Sequence, residues 1–146
     1  MSGSAARPGY LIKRAQLVLH EAMVSALAPH GLTVSQYAAL TALSEEPGLS
    51  NADLARRAFV TPQSMNVVLR ELEDRGLLSR RPHPRHRKVL QAELTAGGRD
   101  LLDPAGLAVD GVESRMLAGL SPQARSGLAD GLTACIDALA TGGKRA

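Results

Sequence analysis

Thr61 followed by Pro62 is the strongest helix start in the chain. A threonine hydroxyl caps the free backbone N–H groups, and proline at the first helical position loses nothing by lacking its own. Behind this pair Met65, Val68, Leu69 and Leu72 recur at i, i+3, i+4 and i+7 before Gly76. The spacing predicts one helix over residues 62–75 with that stripe facing a core. The same period turns Gln63, Ser64, Asn66, Val67 and Arg70 outward. Two shorter helices precede it. Thr33 caps one that runs to about residue 46, with Tyr37, Leu40 and Leu43 inside, before the break at Glu46-Pro47-Gly48. Ser50, with Asp53 placed to favour the helix dipole, caps another that runs to about residue 58 and buries Leu54 and Ala58. Residues 77–81 and 89–94 then read as short strands, the second alternating Leu90, Ala92 and Leu94 on one face. The Pro-rich stretch 82–87 separates them as a long hairpin tip.

The flanks are helical and apolar. Residues 10–29 carry a stripe of Leu11, Ala15, Val18, Ala22 and Leu27, widened by Leu17, Leu19, Met23 and Val24. A helix apolar over so much of its circumference in a chain of 146 residues points to a partner subunit. Pro29-His30-Gly31 ends it. Thr95 caps a stretch to about residue 120, in which Pro104, Gly106 and Gly111 predict a kink or short break near Pro104. Ser121-Pro122 starts a last helix bearing Leu128, Leu132, Cys135, Ile136 and Leu139, and residues 142–146 read as a frayed tail. Aromatic residues are only 2% of the chain, so the core is built from Leu, Ala, Val and Met, which favours packed helices over sheets. The expected fold is mainly α with a small β-hairpin wing: a winged helix-turn-helix over residues 33–95, between a dimerisation helix at 1–32 and dimerisation helices at 96–146.

Charge is distributed unevenly. Residues 50–95 hold nine Lys/Arg against five Asp/Glu, while the rest holds eight against nine. Residues 80–88 alone contain five basic side chains, two histidines and no acid. A cationic patch on a near-neutral body suggests a polyanion, although a solvated basic loop has the same composition. The outward face of the 62–75 helix favours double-stranded DNA. Gln63 and Asn66 can bond bidentately to adenine, Ser64 suits either base type or phosphate, and Val67 can touch a thymine methyl. Arg70, one turn on, reaches backbone or base. Arg85, Arg87 and Lys88 on the hairpin could enter a flanking minor groove, with Arg56, Arg57, Arg80 and Arg81 nearer the phosphates. The scarcity of aromatics argues against single-strand readers, which stack bases on them.

Other chemistry has little support. There is no P-loop, no His-Glu-x-x-His, no Gly-x-Ser-x-Gly and no glycine-rich dinucleotide turn, so neither catalysis nor a cofactor is expected. His83 and His86 are three apart, as metal ligands can be, but sit among arginines, and no metal is expected. Cys135 lies on an apolar stripe and reads as a buried packing residue. One cysteine cannot form an internal disulfide, and with four histidines it makes a poor structural zinc site. No run approaches the roughly 20 apolar residues of a membrane span, and residues 1–8 have no signal-peptide core, so the cytoplasm is the expected location.

The ordered set Gly31-Leu32-Thr33, Gln36-Tyr37, Leu54-Ala55-Arg56-Arg57, Thr61-Pro62-Gln63-Ser64-Met65-Asn66, Leu72-Glu73-Asp74-Arg75-Gly76-Leu77, Arg80-Arg81-Pro82 and Leu94-Thr95-Ala96-Gly97-Gly98 resembles the MarR-type winged-helix transcriptional regulators over nearly the whole chain. The resemblance implies a sequence-specific repressor that binds a palindromic operator as a homodimer. Its first and last helices intertwine, and its recognition helices lie in successive major grooves. The expected DNA contacts are Thr61, Pro62, Gln63, Ser64, Asn66, Val67, Arg70, Arg80, Arg81, Arg85, Arg87 and Lys88. The resemblance also implies a cleft that takes a small phenolic or anionic effector, bordered by segments containing His20, His30 and Tyr37. The family's wing commonly carries Asp-x-Arg; here His86 and Lys88 stand at those positions. The peroxide sensors of this family carry a cysteine near the first helix, and residues 1–13 contain none. The altered wing leaves one rival: a winged-helix module that docks acidic partner proteins without specific DNA binding.

Overall fold

A computed structural model describes residues 7–143. In chain order the elements are α1 (Pro8–Leu27) with a 3-10 turn at Ala28–His30, α2 (Val34–Glu45), α3 (Asn51–Ala58), α4 (Pro62–Asp74), β1 (Leu78–Pro82), β2 (Leu90–Leu94), α5 (Ala96–Leu117) and α6 (Pro122–Gly143). Six helices and one hairpin are the expected mainly α fold with a wing. The chain divides into two compact units, Met1–Val112 and Glu113–Ala146.

The first unit is organised around leucine. Leu27 of α1, Leu40 and Leu43 of α2, Leu54 of α3, Met65, Leu69 and Leu72 of α4 and Leu78 of β1 are all but fully buried in one cluster. Burying a side chain of this size stabilises the fold by roughly 1.5–3 kcal/mol. The starts of the helices follow the caps read above. Thr33 and Ser50 each accept from the N–H three residues on, and Gln36 and Asp53 reach back to the cap N–H to close the box. Hydrogen bonds from the Ser50 hydroxyl and amide, with Arg56 nearby, hold the Asp53 carboxyl below its ordinary pKa. Thr61 accepts from the Ser64 N–H, and Pro62 follows at the first helical position.

The hairpin pairs Leu78 with Leu94 and Pro82 with Leu90; β1 is shifted one residue toward the tip from the expected 77–81, taking in Pro82, and β2 starts one residue later than the expected 89. Ala92 and Leu94 are buried, but Leu90 on the same face is exposed. The wing extends beyond the core there, so the alternation continues without anything to cover it. Leu77 links α4 to the hairpin through Gly76, whose φ of 73° is a left-handed conformation that glycine adopts without strain.

Three expectations for the flanks change. α5 is unbroken, with Pro104 inside it, so of the kink or short break expected there the break does not occur. Ala105 beside it is fully buried and Leu101, Leu102 and Val109 pack on the core, so tertiary contacts carry the helix past the missing N–H. α6 continues through Gly142 to Gly143, and residues 144–146 of the expected tail lie outside the described residues, as do residues 1–6. Cys135 is exposed, as are Leu128, Leu132, Ile136 and Leu139. The apolar stripe of α6 is present and exposed.

α5 is joined to the winged part by a close backbone approach. The Thr95 hydroxyl donates to the Gly76 carbonyl at 2.6 Å, and the Gly98 N–H donates to Thr95 Oγ1. A Cβ built on Gly98 would lie 2.1 Å from the Leu77 carbonyl oxygen, and that backbone atom has no room to retreat. Gly98→Ala is therefore expected to lower stability by about 1–3 kcal/mol, as overpacking does. Thermal melting of the variant beside Gly97→Ala, where a Cβ meets only ordinary contacts at 3.5 Å, checks it.

Candidate nucleic-acid interface

α4 presents the face left over once Met65, Leu69 and Leu72 are buried. Gln63, Ser64, Val67 and Arg70 are exposed there, Asn66 is half-buried, and Val68 packs partly against the core. The N-terminus of α4 is held in two ways. Thr61 uses its hydroxyl on Ser64, accepting from its N–H at 3.1 Å and lying 3.0 Å from its Oγ. The Asn51 amide at the start of α3 donates to the Pro62 carbonyl at 3.0 Å and ties the two helices together. Thr61 and Pro62 therefore act as the frame of the helix end, and Gln63 and Ser64 are the first side chains free of it.

Phe59 forms the turn between α3 and α4. It closes α3 with a φ of 58°, the one non-glycine residue with positive φ among those described, and its side chain is 96% exposed. A left-handed conformation disfavours a bulky residue by roughly 1–2 kcal/mol. The helix end nonetheless keeps its pattern, because the Val60 N–H donates to the Ala55 carbonyl.

The cations fall into two groups. Arg56 pairs with Asp53, Arg57 with Glu46, and Arg80 with Glu73. By contrast, no carboxylate among the described residues pairs with Arg70, Arg81, Arg85, Arg87 or Lys88. Arg80, read from the sequence as lying toward a phosphate backbone, is instead tucked behind α4 with its side chain 13% exposed. Its Nε and Nη2 donate to Glu73 Oε1 at 3.3 and 3.1 Å, and Nη1 donates to Asn66 Oδ1 at 3.2 Å. The partner the sequence reading missed is Glu73. The signal was available: Asn66 and Glu73 are seven residues apart, about two helical turns, so one cation can reach both.

The wing tip is closed by a histidine. His83 Nδ1 accepts from the N–H groups of Arg85 and His86 at 3.0 and 3.1 Å, while its own N–H donates to the Val89 carbonyl at 2.7 Å. The Val89 N–H returns to the His86 carbonyl at 2.8 Å, and the two imidazole rings sit 5.1 Å apart. His83 thus satisfies the tip's backbone donors, and Arg85, Arg87 and Lys88 project from a closed loop. Between this hairpin, α3 and α4 lies an open cleft of about 370 Å³, bordered by Asn51, Asn66, Arg80, Lys88 and Leu90 among others.

The three residues expected beside an effector cleft are not gathered in one place. His20 lines a depression of about 260 Å³ with Val24, Ala28, Leu32, Thr33, Val34 and Ser35. His30 and Tyr37, both half-buried, do not line it; Tyr37 instead lies near Gly106 of α5.

Known proteins share this arrangement. A family model described as the MarR family matches residues 30–88. The HTH-type transcriptional repressor Rv2887 of Mycobacterium tuberculosis is 47% identical over 118 residues, which is 80% of this chain and 85% of that protein. The crystal structure of Rv2887, a MarR family protein, in complex with DNA superimposes with a TM-score of 0.74 at 41% identity, covering 89% of this chain and 98% of that one. Its complex with salicylic acid does so with a TM-score of 0.74 at 41% identity, covering 90% and 98%.

If His83 closes the wing tip, His83→Ala should raise amide hydrogen exchange at Arg85 and His86 by about fivefold, the equivalent of about 1 kcal/mol of hydrogen bonding. His83→Asn, which keeps a side-chain acceptor for the same turn, should restore most of the protection. Equal exchange in the wild type and the alanine variant would remove that role.

Proposed function

The chain belongs to the MarR family of transcriptional regulators, and from that premise we propose how it engages DNA. It is a DNA-binding regulator of transcription. α4 enters the major groove by its N-terminal half, with Gln63, Ser64, Asn66 and Val67 at base edges and Arg70 at base or backbone. Arg81, Arg85, Arg87 and Lys88 serve phosphates and the minor groove, while Thr61 and Pro62 hold the helix end against the duplex. The observation that carries this reading is the side-by-side placement of an exposed, acid-free helix start and a hairpin tip whose cations have no carboxylate partners.

The regulator acts as a homodimer on a palindromic operator with half-sites about 34–36 Å apart, and it represses. Residues 33–95 form the DNA-binding domain, and residues 1–32 and 96–146 carry dimerisation. The exposed apolar residues of α1 (Tyr10, Leu11, Leu17 and Val18) and of α6 (Ile136 and Leu139) are what a second copy would cover. No single helix among the described residues is long and apolar enough to cross a membrane, and the reading places the protein in the cytoplasm without catalytic activity.

Fluorescence anisotropy with the intergenic duplex beside the gene, at two salt concentrations and with random duplex as competitor, tests the reading. Binding about 10³-fold or more above random duplex is expected. Gln63→Ala should weaken the cognate duplex by about 1–3 kcal/mol and relax one base position. Arg85→Ala or Arg87→Ala should weaken all duplexes alike and flatten the salt dependence. Binding that disappears with salt and shows no preference would leave only the electrostatic patch and return the acidic-protein module to first place.

A small phenolic or anionic effector releases the DNA, consistent with the salicylic acid complex of Rv2887. His20 in the depression beside α2 is the candidate contact, with His30 and Tyr37 as the other two. Salicylate added to the preformed complex should lower anisotropy, and His20→Ala should raise the concentration required by about tenfold or more, as loss of one hydrogen bond to a charged group would. An unchanged response would remove His20 from the site.

A further inference from the structure

The ion pair behind α4 limits what Asn66 can offer a base. We propose that Asn66 meets the operator as a hydrogen-bond donor, held so by Arg80 and through it by Glu73, and that it reads the acceptor edge of a guanine. This rests on α4 occupying the major groove as set out above. A guanidinium carries only donors, so the amide atom facing Arg80 Nη1 at 3.2 Å has to be the oxygen. Arg80 is itself anchored, since two of its nitrogens hold Glu73 Oε1 and its side chain is mostly buried. Charge-assisted bonds of this kind are roughly twice as strong as neutral ones.

An asparagine that selects adenine aims both ends of its amide at the base, accepting from N6 and donating to N7. Oδ1 keeps a second lone pair, but swinging both ends of the amide out to one base would stretch its bond to the cation. The hydrogens of Nδ2 remain available. Guanine presents two neighbouring acceptors, N7 and O6, to such a donor, whereas adenine pairs its N7 with an N6 donor that faces the amide hydrogens unfavourably. Arg80 and Glu73 are positioning residues in this scheme: Arg80 touches Asn66, Glu73 touches Arg80, and both act on the base only through Asn66.

The test starts from duplexes selected out of a randomised library by the wild-type protein, then permuted base by base. Asn66→Ala identifies the position that Asn66 reads. Guanine is expected there by roughly tenfold over adenine, and 7-deazaguanine should lose most of that advantage. Arg80→Met frees the amide, so the preference at that one position should move toward adenine, with the other positions unchanged as the sign of an intact fold. Glu73→Gln should move it part of the way, and it carries the comparison should Arg80→Met fail to fold. A wild-type preference for adenine at that position, a guanine preference untouched in both variants, or no position altered by Asn66→Ala overturns the proposal while leaving α4 as the reading helix. Absence of any sequence preference in the wild type overturns the DNA-binding reading and this inference with it.

Discussion

Met65, Leu69 and Leu72 enter a core already shaped by Leu40, Leu43 and Leu54, and that packing decides the rotation of α4 about its own axis. A helix cannot bury one stripe without presenting the opposite one. Once these three are placed, Gln63, Ser64, Val67 and Arg70 are committed to the surface. The anchors at the helix start then remove the remaining freedom: the Thr61 hydroxyl on Ser64 and the Asn51 amide on the Pro62 carbonyl hold the end proposed to meet DNA. A reading surface has to be rigid to discriminate bases whose edges differ by single donors and acceptors, and here rigidity is inherited from the leucine cluster.

The wing follows from the same packing at one remove. Leu77 and Leu78 continue the core beyond Gly76, and Ala92 and Leu94 return to it, so the hairpin is anchored at its base. Beyond Leu90 nothing covers it, and the tip depends on local bonds. His83 supplies them through its Nδ1 and its backbone N–H. The result is a tip with cations and no acid, whose shape is set by one imidazole. The electrostatic division is equally local. Arg56, Arg57 and Arg80 are matched by Asp53, Glu46 and Glu73, whereas among the described residues no carboxylate pairs with the cations of the wing tip.

Most of the architecture could be read from residue order. The caps at Thr33, Ser50 and Thr61, the stop at Gly76 and the stripe of α4 are signals that work within a few residues, so they survive without knowledge of the fold. The errors arose where distant contacts override local preference. Pro104 favours a break, yet α5 is continuous because its neighbours pack on the core. Leu90 alternates correctly but lies past the edge of anything that could bury it. Cys135 sits on an apolar stripe, but whether such a stripe is covered depends on surfaces outside the stripe itself. Arg80 has the same appearance in sequence as Arg81, and only its approach to Glu73 and Asn66 separates a structural cation from a free one.

The sequence alone determined the order of helices and hairpin, the face of α4 that looks outward, and the concentration of positive charge beside it, because helical period, capping and composition are local quantities. Tertiary structure decided which charges stay unpaired, how the wing tip is closed, and which end of the Asn66 amide faces Arg80. Except for the locally bonded wing tip, those properties depend on pairs of atoms far apart in the chain. Arg80 and Asn66 are fourteen residues apart, and the spacing of Asn66 and Glu73 along α4 shows that a cation can bridge them without showing which one does.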